Sequence, residues 1–225
     1  MAIKLVVFDM AGTTVKDEDY VGKAFQEAMR KYGYHASIEE INPLMGYKKT
    51  VAISMMLRKL EPIKEKITDE LIEAIHDAFV AAMLNFYSTS DKIEALPYAE
   101  ETFQKLRVKG IKVALNTGFS KDIANVIIDR LKWRDKIDVL VASDEVENGR
   151  PSPDMIRKIM KQLALHDPKE VAKVGDTEVD INEGKNVGCL YSIGVTTGAF
   201  TEEELQPYEP THIINRIDEV INIVA

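Results

Sequence analysis

Six short apolar runs, rich in β-branched residues, constrain the fold of this chain more than any other feature. They are residues 3–8, 111–115, 139–142, 171–174, 191–195 and 212–214. Such runs, without polar alternation, are typical of strands buried on both faces of a parallel sheet. Helical segments separate the later runs: residues 98–109, ended by Gly110, and a segment with Ser152 as its cap and Pro153 as its first residue. This alternation predicts an α/β fold with a doubly wound parallel sheet.

Residues 16–90 interrupt the alternation. Apolar residues recur there at the three-four spacing of amphipathic helices, in one set over 21–32 and another over 71–86. We therefore predict an all-helical inserted domain over residues 16–90, joined through the stretches "KDED" and "STSDK". Residues 1–15 and 91–225 then form the α/β core domain.

Composition limits the partners and the compartment. The chain has 225 residues and a net charge of -8, which disfavours nucleic-acid and anionic-membrane binding but leaves a small anionic substrate open. One cysteine, Cys189, excludes an internal disulfide. There is no run of eighteen apolar residues, and no cleavage site follows the N-terminal run. We expect a cytoplasmic protein.

Polar residues follow four of the predicted strands. Asp9 follows the first, Thr117 the second, Arg150 the third, and Asp176 with Asp180 the fourth. Ligands of open α/β sheets bind beyond the carboxyl ends of the strands, so these groups are expected to converge. Asp180, one helical turn after Asp176, is expected to orient either a metal-bound water or the Arg150 cation.

These groups suit phosphoryl transfer. Asp9 and Asp176 offer the oxygen ligands that Mg²⁺ prefers, and Asp9 is a candidate nucleophile toward phosphorus. Hydroxyl, guanidinium and backbone amide groups bind phosphoryl oxygens. The candidate phosphate-binding residues are Gly12, Thr117, Gly118 and Arg150.

The motifs "FDMAGTTV", "TGFS", "NGRPSPDM" and "KVGDTEVDINEG", in this order, resemble the haloacid dehalogenase superfamily, and most closely its phosphonoacetaldehyde hydrolase branch. The resemblance spans the core domain and implies a helical cap domain inserted after the first motif. It implies a Mg²⁺-dependent hydrolase with a phosphoaspartyl intermediate, whose metal is held at Asp9, Ala11 and Asp176.

Ala11 carries the most specific part of the resemblance. Most phosphatases of the superfamily have a second aspartate there, which protonates the leaving alkoxide. The phosphonoacetaldehyde hydrolases have alanine there, and a cap lysine forms a Schiff base with the substrate aldehyde so that carbon can leave. The stretch "LMGYKKT" resembles their cap loop. This implies a Schiff-base role for Lys49, with Met45 and Gly46 shaping the loop.

Two positions depart from that branch. The cap histidine three residues after the lysine is Ala52 here, and the tyrosine after the second motif is Phe119. Both changes remove polar groups that serve the aldehyde chemistry. They leave open a second interpretation, namely that the protein is a phosphate-monoester phosphatase without the usual general acid.

The predicted catalytic residues are Asp9, Lys49, Thr117, Arg150 and Asp180, with Met45 as a further substrate contact. A non-catalytic phosphate-binding protein is a third interpretation, which only Ala11 supports. A sugar-phosphate mutase is disfavoured because it uses the second aspartate, and a haloacid dehalogenase because it needs no Mg²⁺. The branch also suggests a homodimer through the cap, with the apolar face over residues 21–32 shared between two chains.

Overall fold

Six parallel strands form one sheet within residues 2–224, the part of the chain that the computed structural model describes. Their spatial order is β3-β2-β1-β4-β5-β6. The strands are β1 (Leu5–Phe8), β2 (Lys112–Thr117), β3 (Val139–Ala142), β4 (Val171–Gly175), β5 (Tyr191–Val195) and β6 (His212–Ile214). The predicted strands are confirmed, with boundaries that shift by no more than two residues.

Helices cover both faces of the sheet, which confirms the doubly wound α/β prediction. They are α5 (Ala99–Val108), α6 (Lys121–Arg130), α7 (Asp154–Gln162), α8 (Glu178–Val187), α9 (Glu202–Leu205) and α10 (Val220–Val224). Alternate residues of β1 face opposite layers: Val6 and Phe8 pack in the cluster that includes α5 and α6, and Val7 packs with α7. Burial on both faces explains why these strands lack polar alternation.

The helix predicted to have Ser152 as its cap begins one residue later than expected. Helix α7 starts at Asp154, and Pro153 occupies the cap position that was predicted for Ser152. The Ser152 hydroxyl instead donates to the Asp154 carboxylate at 2.9 Å, and the Ser152 amide closes a turn on the carbonyl of Gly149. The serine therefore stabilises the loop before the helix, and that detail of the prediction was wrong.

Four helices fill the segment between β1 and α5. They are α1 (Tyr20–Lys31), α2 (Ile38–Ile41), α3 (Lys49–Leu60) and α4 (Asp69–Thr89). The apolar stripes of α1 and α4 meet, with the rings of Phe25 and Phe79 at 6.3 Å in an edge-to-face arrangement. The insert is helical, as predicted. We refer to these four helices as the cap.

The apolar face of α1, which was expected to be available for a second chain, is filled within this one. Val21, Phe25 and Met29 are buried against the rest of the cap. Tyr32, the cap residue that follows the helix, is exposed. The homodimer through the cap therefore remains a prediction, and the apolar face of α1 no longer supports it.

The two segments that connect cap and core run side by side. The Lys16 amide donates to the Glu94 carbonyl at 3.0 Å, and the Leu96 amide donates to the Thr14 carbonyl at 2.8 Å. Arg130 of α6 donates to the carbonyls of Ser88 and Ser90. The chain thus enters and leaves the cap at one place. The domain boundaries at residues 16 and 90 stay a prediction. In the described part of the chain, no helix is both long and apolar enough to cross a membrane.

Candidate active site

The predicted residues converge where β1 and β4 end. The strand order reverses between these two strands, which is the position where ligands of doubly wound sheets bind. A cavity of about 160 Å³ lies there, between the core and the cap. All the predicted site residues line it except Asp180, namely Asp9, Ala11, Gly12, Met45, Lys49, Thr117, Gly118, Arg150 and Asp176. A wider groove of about 850 Å³ at the start of β2 contains none of them.

Arg150 connects the carboxylates of Asp9 and Asp180. Its Nη1 donates to Asp9 Oδ1 at 2.7 Å and also to Asp180 Oδ1, and all three side chains are buried. Of the two roles expected for Asp180, contact with the Arg150 cation is the one the structure contains. Burial raises the pKa of Asp9, and the neighbouring Arg150 charge opposes that rise.

A buried network that the sequence reasoning missed supports this pair. Lys173 Nζ lies 2.9 Å from Asp180 Oδ1 and 3.5 Å from Glu183 Oε2, and it donates to Asn116 Oδ1 at 2.7 Å. Asn116 Nδ2 in turn donates to both carboxylate oxygens of Glu183. Burial alone would raise the pKa of Asp180, but the Arg150 and Lys173 charges lower it to about 2. Asp180 is therefore a carboxylate that holds Arg150 in position.

The carboxylate of Asp176 is held by two hydrogen bonds that do not involve Arg150. The Thr13 hydroxyl donates to Oδ1 at 3.0 Å, and the Ala199 amide donates to Oδ2 at 2.8 Å. Burial, together with the charge of Asp9, raises its pKa to about 8. Asp176 has no cationic partner among residues 2–224, so these two hydrogen bonds stabilise its ionised form without a compensating positive charge.

The charges at the site suit a divalent cation. Asp9, Asp176 and Asp180 each present an oxygen within 4.8 Å of the others. Within residues 2–224, the buried cationic side chains near these three carboxylates and that of Glu183 are Arg150, Lys173 and Lys49, and the pKa of Lys49 is lowered to about 8. Oxygen donors with excess negative charge fit Mg²⁺, so the expected ligands Asp9 and Asp176, with the backbone at Ala11, fit that ion.

Donors for an anion lie beside these carboxylates. Thr117 is buried, and its Oγ1 accepts the Phe119 amide at 3.2 Å, which leaves the hydroxyl proton free to bind another oxygen. The buried Nε of Arg150 has no hydrogen-bond partner within the described residues. A buried N–H without an acceptor is costly, and a phosphoryl oxygen in the cavity would supply one.

The cap loop of residues 45–49 closes the cavity from above. Gly118 permits this, because a Cβ there would lie 2.8 Å from the Gly46 carbonyl and 2.7 Å from that of Tyr47. The Tyr47 hydroxyl donates to Glu178 Oε1 at 2.8 Å, next to the carboxyl end of β4. The backbone of Gly46, at φ +85, lies against Thr177. The loop therefore rests on two strand ends.

Lys49 is the first residue of α3 and points into this closed space. Its Nζ lies 5.9 Å from the centroid of the Phe79 ring and 6.0 Å from that of Phe119, and only 3 % of the residue is exposed. Within residues 2–224, the only hydrogen bond of Lys49 Nζ is a long one, 3.5 Å, to the Tyr47 carbonyl. Burial, and next the Arg150 charge, lower its pKa to about 8.

The sequence prediction missed several polar residues of the site that lie inside a strand or in the insert. Lys173 carried a signal, since a lysine in the middle of the buried run 171–174 needs a partner. Asp17, Asp19 and Asn42 also line the cavity, and they stand in the insert without a motif to mark them.

Comparisons with known proteins agree with this architecture. A family model described as haloacid dehalogenase-like hydrolase matches residues 3–188. A phosphonoacetaldehyde hydrolase from Bacillus cereus (strain B4264) is 30% identical over 233 residues, covering 99% of this chain and 88% of the relative.

Two solved structures share the fold. A hydrolase from Pseudomonas syringae matches with a TM-score of 0.86 and 22% identity, covering 97% of this chain and 96% of the other. A phosphonoacetaldehyde hydrolase like protein from Oleispira antarctica matches with a TM-score of 0.85 and 23% identity, covering 100% and 92%. The motif order, the sheet and the family match lead to one conclusion: the chain belongs to the haloacid dehalogenase-like hydrolases.

Proposed function

We propose that this hydrolase is Mg²⁺-dependent and cleaves the carbon-phosphorus bond of a small phosphonate such as phosphonoacetaldehyde, through a phosphoaspartyl intermediate on Asp9. One observation carries the proposal: a buried lysine, Lys49, lines the same small cavity as Asp9, while Ala11 offers no general acid. The Bacillus cereus relative, named for this activity, supports it.

In this proposal the core end of the cavity binds the phosphoryl group. Thr117 and Arg150 donate to its oxygens, with the backbone amides of the turn at Gly12, and Asp180 keeps the guanidinium in place. The Asp9 carboxylate attacks phosphorus. Mg²⁺ held by Asp9, Asp176 and the Ala11 backbone would neutralise charge between the carboxylate and the substrate.

At the cap end, Lys49 binds the aldehyde. Its lowered pKa provides a useful fraction of neutral amine near pH 8, and the neutral amine is the form that adds to a carbonyl. The resulting iminium accepts the electron pair of the breaking carbon-phosphorus bond and becomes an enamine. A leaving carbon of this kind needs no acid at position 11, which accounts for Ala11.

A second candidate function is a phosphate-monoester phosphatase. Ala52 favours it, because this residue is fully buried in the cap and offers no proton donor one turn after Lys49. The leaving alkoxide would then take its proton from a cap residue or from water. A third candidate, a phosphate-binding protein without turnover, would bind phosphate without ever labelling Asp9.

Phosphate release separates these candidates. Phosphonoacetaldehyde and a panel of small phosphate monoesters are assayed with Mg²⁺, using D9N as the blank. Borohydride trapping with mass spectrometry then asks whether the substrate forms an adduct on Lys49. Release from the phosphonate with an adduct on Lys49 supports the proposal, and release from monoesters alone overturns it in favour of the phosphatase. Acetyl phosphate that never phosphorylates Asp9 would favour the binding protein.

A further inference from the structure

The cap side of the cavity carries a carboxylate that the proposed function does not use. Asp17, in the segment between β1 and α1, lines the cavity together with Lys49. Its Oδ1 accepts the amides of Tyr20 at 2.7 Å and Val21 at 3.3 Å, at the start of α1. These two bonds fix the carboxyl group in position, while Oδ2 makes no hydrogen bond within residues 2–224.

Asp17 and Lys49 influence each other without forming an ion pair. Burial raises the pKa of Asp17 and the Lys49 charge opposes this rise, while the Asp17 charge opposes the lowering of the Lys49 pKa. In the described residues, Lys49 Nζ has no carboxylate oxygen within the 4.0 Å of a salt bridge. The two groups therefore lie more than 4.0 Å apart on the lining of the same cavity, into which a substrate would bind.

Imine chemistry at Lys49 needs a group that gives and takes protons, and few residues here qualify. Arg150 stays charged, and Asp9 and Asp176 lie at the phosphoryl end. Ala52 and Phe119 carry no ionisable group. Tyr87, whose ring packs 6.0 Å from that of Phe119, is not part of the cavity lining, and burial raises the pKa of its hydroxyl.

Asp19 is the other carboxylate of the cap side. It is exposed, whereas Asp17 is half-buried and anchored by two amides. A fixed carboxyl group with a raised pKa is better suited to proton transfer than a solvated one.

We propose that Asp17 is the acid–base residue that moves protons at the Lys49 end of the cavity, an inference that rests on the proposed function. As the Lys49 nitrogen bonds to the carbonyl carbon, the nitrogen loses a proton to the Asp17 carboxylate. The carbonyl oxygen takes up two protons from solvent and leaves as water, which produces the iminium while Asp17 keeps the proton as a carboxylic acid.

The same residue completes the cycle. When the carbon-phosphorus bond breaks, phosphorus bonds to an Asp9 oxygen and the electron pair forms the enamine double bond. The Asp17 carboxylic acid protonates the terminal enamine carbon, and the iminium is restored. One water hydrolyses the iminium to free Lys49 and acetaldehyde, and another hydrolyses the phosphoaspartate to free Asp9 and phosphate. Each hydrolysis releases one proton to solvent, which balances the two protons taken up when the iminium formed.

The substitution D17N tests this role. The asparagine carbonyl oxygen can still accept the two amides, so the start of α1 is preserved while proton transfer is lost. E18Q is the matched control, since Glu18 is exposed, adjacent and absent from the cavity lining. The rate of borohydride-trapped adduct formation on Lys49 with phosphonoacetaldehyde is measured, beside Mg²⁺-dependent hydrolysis of acetyl phosphate, which needs no imine.

We expect D17N to slow adduct formation by about 10²-fold or more. The fold-loss in acetyl phosphate hydrolysis should be smaller than the fold-loss in adduct formation by a factor of about ten or more. E18Q should match the wild type in both assays. Adduct formation by D17N at the wild-type rate would overturn the role of Asp17 while leaving the proposed function intact. A tenfold larger loss in D19N than in D17N would assign the role to Asp19 instead. A wild-type enzyme that forms no adduct yet releases phosphate would overturn the proposed function, and this inference with it.

Discussion

Arg150 Nη1 lies 2.7 Å from Asp9 Oδ1, and the same nitrogen also reaches Asp180. A single guanidinium thus aligns the proposed nucleophile and is itself aligned by a second carboxylate. Lysine retains the charge but lacks the planar, forked set of donors. We predict that R150K folds but phosphorylates Asp9 from acetyl phosphate about 10²–10³-fold more slowly.

Mass spectrometry of the phosphorylated chain measures this rate. The control is R157K, which changes an exposed arginine on α7. If R150K phosphorylates Asp9 within threefold of the wild-type rate, the guanidinium geometry does not matter for transfer.

The buried Lys173 leads to a prediction about stability. Its removal in K173M leaves Asp180 and Glu183 with one cation fewer in a fully buried site. Breaking such an ion network costs about 3–5 kcal/mol. Urea unfolding should therefore give a lower free energy of unfolding for K173M. The double variant K173M/E183L should lose less than the sum of the two single variants, because the unpaired carboxylate is gone. Strict additivity would show that the two residues are not coupled.

The sequence predicted the features that depend on local pattern. The run at 139–142 and the strand β3 coincide, because both faces of the strand are buried and apolar. Asp9 and Asp176 were predicted from their positions after strands, and the parallel topology brings them together.

Features that depend on distant pairing were beyond such reasoning. Lys173 meets Asn116 from a position 57 residues away in the chain, and only the sheet order β2-β1-β4 allows that contact. Asp17 lines the cavity together with Met45, Gly46 and Lys49 of the loop 45–49, a tertiary arrangement without a motif. Ser152 was misjudged because its side chain bonds forward to Asp154 and not to a helix amide.

The lowered pKa of Lys49 predicts a pH dependence for phosphonate cleavage. Its ammonium form is disfavoured by burial and Arg150 and favoured by Asp9 and Asp17, with a resulting pKa of about 8. Only the neutral amine adds to the aldehyde, so adduct formation should rise between pH 6 and 8 by roughly 50-fold and level off above the pKa. Initial trapping rates across this range measure it.

The variant K49R provides the control for this profile, because it keeps a cation that does not deprotonate. It should form no adduct at any pH. A wild-type profile that is flat from pH 6 to 8 would contradict a rate-determining neutral amine.

The excess negative charge at the site predicts stabilisation by Mg²⁺. Buried Asp9 and Asp176 repel each other in the folded chain, and a divalent cation relieves this repulsion. At about 100 times its Kd, Mg²⁺ should raise the Tm by about 5–10 °C. D176N should lose most of this shift, whereas D91N, at an exposed aspartate, should keep it. An equal shift in D176N, measured by thermal unfolding, would place the ion elsewhere.

Ala11 offers a test by gain of function. It lines the cavity two residues after Asp9, and an aspartate there would supply a general acid to a leaving alkoxide. General acids contribute about 10²–10⁴-fold to proton-dependent steps, so A11D should raise kcat/KM for phosphate monoesters by about 10²-fold. The phosphonate should gain nothing, because its leaving group departs as an enamine and takes no proton from position 11. Parallel assays of both substrates, with A11N as the isosteric control without an acid, measure the ratio. If A11D accelerates phosphonate cleavage as much as ester cleavage, carbon does not leave through an imine.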